Sequence, residues 1–235
     1  MDERVGVEVD VVEEVRTALR AAADPAVAPG QQAYMKSAMP YHGITAARLT
    51  KTLRPILAAY APVDRDAWER DVRRLWDEAT HREERYAATA LARHRVARPW
   101  QDPATLDLYR HLVVTGAWWD HVDEVATHLV GGVLAGYRAE VTPVMRAWAR
   151  DGDLWVRRTA VLSQANHKDR TDTDLLHDVV AANIADPSFW LRKAVGWALR
   201  EYSKVDPGWV RAEVDGYGSL ISGLSRREAL RRLDP

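Results

Sequence analysis

The sequence predicts an all-α fold built from repeated helix pairs, and three observations carry that prediction. Apolar residues recur at helical spacing in segments of about 12–18 residues almost from end to end. Proline, glycine and Asp-Pro punctuation falls between most of these segments. No run alternates apolar and polar residues for long enough to make a sheet.

Taken in order, residues 1–10, MDERVGVEVD, read as a flexible acidic tail, and 11–235 as a single domain. Helices are expected near 11–23, 30–38 and 45–60, the last kinked or broken before Pro55. Further helices are expected near 65–79, 83–96 and 104–114, then near 118–130, 142–150 and 154–167. The last three fall near 173–185, 188–203 and 225–233. Breaks are expected at Asp24-Pro25, Pro62, Pro99, Asp102-Pro103, Gly131-Gly132, Asp151-Gly152, Asp186-Pro187 and Asp206-Pro207. Ser188 and Ser225 stand where N-caps belong, because a short hydroxyl side chain satisfies a free amide of the first turn.

The second half carries a repeat. Asp153-Leu154-Trp155-Val156-Arg157-Arg158-Thr159-Ala160 is echoed by Pro187-Ser188-Phe189-Trp190-Leu191-Arg192-Lys193-Ala194, about 35 residues later. A helix pair at that period is the mark of a HEAT-like helical-repeat solenoid, whose stacking curves the chain and offers a concave face.

Composition narrows the classes of function. The absence of cysteine excludes disulfides, a thiolate nucleophile and sulfur-ligated zinc. The formal net charge of -1 does not advertise a nucleic acid partner. Lysine, however, occurs only at Lys36, Lys51, Lys168, Lys193 and Lys204, so nearly all basic charge is arginine. Arginine forks onto phosphate oxygens as lysine cannot, although a GC-rich coding sequence produces the same bias. Ten tryptophans stand against one phenylalanine, Phe189; indoles suit cores, and equally surfaces that meet sugars, bases or cations. No stretch approaches the roughly 20 apolar residues that cross a bilayer, and the N-terminus lacks a basic export signal. A cytoplasmic location with no membrane partner is the expectation.

Two helix faces could carry chemistry. In Trp118-Trp119-Asp120-His121-Val122-Asp123, the residues Trp118, Val122, Val125 and Leu129 form an apolar stripe. Trp119 then lies beside that stripe, and Asp123, four residues on, stacks against it. A carboxylate beside an indole suits stabilisation of a developing cation, or equally a solvated acid at the edge of a core ring. In 188–203, Leu191, Val195, Leu199 and Tyr202 mark the buried stripe. Trp190, Lys193 and Trp197 share the adjoining face with Arg200 close by, which suits a sugar-phosphate backbone or ordinary packing between repeats. Arg157 and Arg158, next to Trp155, are placed to meet phosphates or to pair with Asp151 and Asp153. No HExxH, Gly-rich phosphate loop, GxSxG elbow or histidine pair at metal-ligand spacing is present; His121 and His128 share a face and read as surface histidines. Nothing asks for a cofactor or a metal.

These blocks together resemble the AlkD-type DNA alkylation repair family, the HEAT-like alkylpurine DNA glycosylases. The resemblance rests on Tyr34-Met35-Lys36, Pro40, Gly43-Ile44 and Arg48, on Trp118-Trp119-Asp120 with Asp123, and on Trp155 with Arg157-Arg158-Thr159-Ala160. It continues through Lys193-Ala194-Val195-Gly196-Trp197-Ala198-Leu199-Arg200-Glu201-Tyr202 and closes with Leu224-Ser225-Arg226-Arg227-Glu228-Ala229-Leu230. It implies a monomer whose concave surface holds double-stranded DNA carrying alkylated purines. Asp123, Trp119, Trp197 and Arg158 match the family's active site. By the same resemblance Trp119 and Trp197 bracket the damaged nucleotide, Asp123 stabilises the sugar cation and positions water, and Arg158 holds a phosphate. Tyr34, Lys36, Trp155, Arg157, Trp190 and Lys193 are expected along the DNA. The lesion is expected to stay largely in the helix, so that bulky adducts are tolerated, as in relatives that protect producers of genotoxic natural products. His42 stands where relatives carry a small or apolar residue, and 65–96 matches poorly. The alternative is a non-catalytic HEAT-like scaffold that binds DNA structures or a protein.

Overall fold

The computed structural model describes residues 10–233, and every regular element among them is a helix. The chain forms two compact units that divide between Pro99 and Trp100.

In the first unit, α1 (Val11–Ala21) starts at Asp10, whose carboxylate accepts from the Val12 amide at 3.0 Å. Asp10 also pairs with Arg74 at 2.9 Å, so this residue of the expected acidic tail is an N-cap. The remainder of that tail, 1–9, lies outside the described residues. Then follow α2 (Ala28–Met35), α3 (Ala46–Ala59), α4 (Arg65–Asp77) and α5 (Arg82–Ala92). The expected break before Pro55 does not occur: α3 runs through it. Leu53 and Ile56, on either side, are both buried, and their packing outweighs the one backbone bond that proline cannot make. α1 packs on α3, α4 and α5, enclosing Val12, Val15, Leu19, Trp68, Leu75 and Trp76. Each fully buried aliphatic among them contributes about 1.5–3 kcal/mol. The Glu83 carboxylate gathers the 42–44 loop by accepting from the amides of His42, Gly43 and Ile44 at 2.9, 3.0 and 3.1 Å. Gly43 has φ +86°, and a Cβ there would lie 2.0 Å from the Asp24 carbonyl oxygen, so only glycine fits.

In the second unit, α6 (Leu106–Gly116) leads to α7 (Trp119–Glu124), a π-helical segment (Val125–Val130) and α8 (Gly131–Gly136). The expected break at Gly131-Gly132 is absent, and the chain stays helical from 119 to 136. Gly131 serves another need: a Cβ there would sit 2.4 Å from the carbonyl oxygen of Ser163, the residue that ends α10 (Leu154–Leu162), so the start of α8 passes close to the end of that helix. Next come α9 (Arg138–Trp148), α10 (Leu154–Leu162), α11 (Thr173–Ala181), α12 (Phe189–Tyr202), α13 (Pro207–Gly216) and α14 (Gly223–Leu230). Sequence reading missed α13, taking Asp206-Pro207 only as a break; Asp206 is its N-cap, accepting from the Trp209 amide at 2.8 Å. Ser188 caps α12 as expected, but Ser222, not Ser225, caps α14. Ser225 is buried, and its hydroxyl donates to the Arg192 carbonyl at 3.0 Å. The π segment packs on α10, α10 on α12 and α12 on α14, while α9 and α11 pack together and against α10.

Candidate functional site

The row α7, α10, α12, α14 places one side-chain cluster on a common cavity of about 330 Å³. Trp119 and Asp123 come from α7 at i and i+4; of the expected apolar stripe beside them Val122, Val125 and Leu129 are buried, whereas Trp118 precedes the helix in extended conformation and is half-buried. Arg158 comes from the second turn of α10. That helix is fixed at its start by Asp153, which accepts from the Trp155 and Val156 amides at 2.7 and 3.0 Å. Phe189, Trp190, Lys193, Trp197 and Arg200 come from α12, and Glu228 and Arg231 from α14 and the turn after it.

The π segment anchors the Asp123 end. The Thr127 hydroxyl donates to the Asp123 carbonyl at 2.7 Å, and Asn166 donates to the Thr127 carbonyl at 3.3 Å. His167 Nε2 donates to the Gly131 carbonyl at 2.9 Å, since a carbonyl can only accept. Asp123 thereby meets Arg158 across the row. Arg158 Nε lies 2.7 Å from Oδ1 and Nη2 lies 2.8 Å from Oδ2, a planar fork on one carboxylate. Nη1 donates to the Trp190 carbonyl, so all three guanidinium nitrogens are engaged, by two partners. The Arg158 side chain is 5 % exposed and that of Asp123 15 %. Burial pushes the Asp123 carboxyl above its ordinary range, against the opposing hydrogen bond and charge of Arg158.

Four cationic side chains (Arg158, Lys193, Arg200, Arg231) face two carboxylates (Asp123, Glu228) around this cavity. A chain with a net charge of -1 therefore presents a locally positive, indole-walled hollow. Among the expected site residues, Trp119, Asp123, Arg158, Trp190, Lys193 and Trp197 all line it. Trp155 does not: it is 9 % exposed, its ring 6.2 Å from Trp118 and 5.5 Å from Trp190. That three-indole cluster supports the cavity from within, and the expected DNA contact at Trp155 has no surface to act through. Arg157 is tied to Asp186 at 3.1 Å rather than to Asp151 or Asp153. Tyr34, 78 % exposed, and Lys36, also exposed, lie in the first unit at the end of α2. His121, expected at the surface, is 1 % exposed.

Phe189, Glu228 and Arg231 are lining residues that sequence reasoning did not select. Arg200 was visible as the i+7 partner of Lys193; Glu228 and Arg231 come from another helix, and no spacing rule on α12 reveals them. The fold also gathers His42, His81 and Glu84, potential metal ligands lying within 4.8 Å of one another and 39 residues or more apart in sequence except for the last pair. The two imidazoles stack face to face, centroids 3.8 Å apart and planes 8° from parallel. Their in-plane lone pairs thus do not converge on one point about 2.0–2.1 Å from both nitrogens. Glu84 is already engaged by Arg16 at 3.1 Å and by Thr80 at 2.8 Å.

A carboxylate gripped by arginine between indoles invites comparison with known proteins. A sequence model described as DNA alkylation repair enzyme matches residues 15–233. The chain belongs to the DNA alkylation repair enzyme family. Comparison with curated protein sequences gives no match. Among solved structures, the chain is similar to a predicted DNA alkylation repair enzyme from Enterococcus faecalis. The two are 26% identical with a TM-score of 0.81, over 90% of this chain and 97% of the other. The similarity thus spans nearly all of the helical fold, and the family model encloses every residue of the cavity.

Proposed function

We propose that this member of the family is a monofunctional glycosylase that hydrolyses the N-glycosidic bond of cationic N3- or N7-alkylated purines in duplex DNA. The observation that carries the reading is the Asp123 carboxylate, forked by Arg158 and facing a cavity shared with Trp119 and Trp197.

The chemistry follows from charge. An alkylated purine is already a cation, so it departs with the bonding electrons without a strong general acid. The barrier is the oxocarbenium-like sugar left behind. An ionised carboxylate and two indole faces stabilise that cation in a partly water-excluded site, where such fields act strongly. Water then adds to C1′ and loses its proton, which Asp123 or bulk solvent accepts; the products are the free base and an abasic sugar. No lysine nucleophile is needed. Arg158 orients the carboxylate and opposes the neutralising effect of burial; 5 % exposed and engaged at all three nitrogens, it is not placed to hold a phosphate itself, contrary to the expectation from sequence. Lys193, Arg200 and Arg231 supply the positive wall for the backbone. Phe189, 54 % exposed at the edge, leaves the cavity open to the side, which supports action on a lesion still stacked in the helix and on bulky adducts. We take the protein to act as a monomer with HEAT-like stacking of its helix pairs, in the cytoplasm where the DNA is.

The test is release of 7-methylguanine and 3-methyladenine from methylated duplex DNA by wild type and Asp123→Asn. Release that needs Asp123 is the expected result. Duplex binding with no release of either base would point instead to a DNA-binding scaffold.

A further inference from the structure

α12 presents Lys193, Trp197 and Arg200 at i, i+4 and i+7, on one face about 10 Å long. Two long cationic side chains on such a face repel each other and, unheld, sample many rotamers. Here one carboxylate holds both. Glu228 Oε1 accepts from Lys193 Nζ at 2.8 Å, and Oε2 accepts from Arg200 Nη1 at 2.6 Å. The Glu228 side chain is 15 % exposed, and both cations belong to the same cavity lining as Asp123.

The backbone is shaped to bring that carboxylate in. A Cβ on Gly196 would lie 2.5 Å from Glu228 Cβ and 3.0 Å from the Ser225 carbonyl oxygen, so α14 rests on α12 at a position only glycine allows. The Ser225 hydroxyl bond to the Arg192 carbonyl fixes the register of that contact. Lys193 keeps two of its three donors and Arg200 four of its five after this engagement. With Arg231 added, three cations outnumber the one acid on this wall.

An acid set into a surface that meets a polyanion opposes binding by simple Coulomb repulsion, so its presence calls for a compensating role. We propose that Glu228 is a positioning residue. It holds Lys193 and Arg200 on either side of Trp197 as a seat for a single DNA phosphate, and so sets the register of the strand against Asp123. This rests on the glycosylase reading for its catalytic consequence, but not for its binding consequence. The Lys193 hydrogen bond, foremost among the causes, holds the Glu228 carboxyl below its ordinary range, so the clip is charged at neutral pH.

The experiment uses Glu228→Gln, which keeps size and shape and removes the charge. Single-turnover base release should fall about ten-fold, as expected of a small misplacement, while affinity for undamaged duplex holds or tightens. A second arm reads binding alone. Lys193→Ala and Arg200→Ala should each lower the salt slope of duplex binding by about one, and the double variant by about one as well, because both cations serve one phosphate. In the Glu228→Gln background the two losses should become additive. An unchanged release rate in Glu228→Gln overturns the proposal. So does a fall of rate, affinity and melting temperature together, which marks a structural role only. If wild type releases no base, the glycosylase reading fails, and the binding arm still decides: additive losses with Glu228 intact sink the clip.

Discussion

Arg158 grips both oxygens of Asp123 at once, Nε on Oδ1 at 2.7 Å and Nη2 on Oδ2 at 2.8 Å, from helices α10 and α7. A buried ion pair of this kind is weak evidence for stability, because desolvation offsets most of the attraction. Its presence at a cavity wall argues for function. The fork leaves the carboxylate one rotamer and one orientation, which a solvated surface acid would not have.

Asp123→Asn keeps the shape and removes the charge that, in the proposed reaction, faces the developing sugar cation. Base release should fall by about 100-fold or more, with duplex affinity retained, as for loss of an electrostatic stabiliser. Single-turnover release on a 7-methylguanine duplex measures it. A rate within a few-fold of wild type would remove Asp123 from the mechanism.

The same pair makes a thermodynamic prediction. Removing one partner strands a charge that is nearly buried, so Arg158→Met alone should cost about 3–5 kcal/mol. The double variant Asp123→Leu with Arg158→Met should recover most of that stability and remain inactive. Chemical denaturation of both single variants and the double variant reads the cycle; single effects that simply add up to the double would show that the pair is not coupled.

Acid should stop catalysis before it unfolds the protein through this group. Burial, outweighing the Arg158 hydrogen bond and charge, raises the Asp123 carboxyl above its ordinary value of 3.8. The proposed mechanism needs the carboxylate, so the rate should fall on the acid side with a midpoint above that value. Stability runs the other way: with the folded value raised, the contribution of Asp123 to stability is full below the unfolded value. It is lost as pH rises through the folded one. A pH–rate profile with circular dichroism at each point separates the two. A midpoint at or below the ordinary value would contradict the assignment.

The site was legible in sequence wherever its residues share one helix. Trp119 with Asp123, and Lys193 with Trp197, sit at i and i+4, and the 3.6-residue period brings each pair to one face. The resemblance added Arg158 across helices. What the sequence concealed lies in packing. Trp155 and Trp190 open the two echoed blocks in similar positions, yet one is buried among indoles and the other lines the cavity. Which face turns inward depends on the neighbour, and a single repeat does not name its neighbour. Glu228 was hidden for the same reason, since its partners lie on another helix. Helix ends were read too long at 154–167 and 173–185, where α10 and α11 stop at Leu162 and Ala181. Helical propensity alone does not mark where side chains such as Gln164 and Asn183 turn back to backbone carbonyls.

Mild acid should lower stability through His167. Burial holds the His167 imidazole below its ordinary value of 6.5, more than its bond to the Gly131 carbonyl opposes. The unfolded chain therefore binds the proton first. The contribution is full above the unfolded value and is lost as pH falls through it toward the folded one. Melting temperature should drop between about pH 7.5 and about pH 5.5, and less so in His167→Gln, whose amide can still donate to Gly131. His42, also depressed by burial, adds to the wild-type slope and remains in the variant. An identical pH slope in both proteins would discharge His167 from this role.

Gly131 shows how a residue read as a breaker can be a spacer. Both Gly131 and Gly132 lie inside continuous helix, but their surroundings differ: a Cβ on Gly131 meets the Ser163 carbonyl oxygen at 2.4 Å, while one on Gly132 meets nothing within 4 Å. Gly131→Ala must push α8 and the end of α10 apart, which costs about 1–3 kcal/mol as overpacking does. It also strains the His167 bond to the Gly131 carbonyl and, through the π segment, the seat of Asp123. Gly132→Ala should instead stabilise by about 0.5–1 kcal/mol, since alanine in open helix loses less backbone freedom than glycine. Thermal melts of the two variants side by side give opposite signs if Gly131 is there for clearance. The same sign in both would mean that the helix, and not its contact with Ser163, decides what the glycines do.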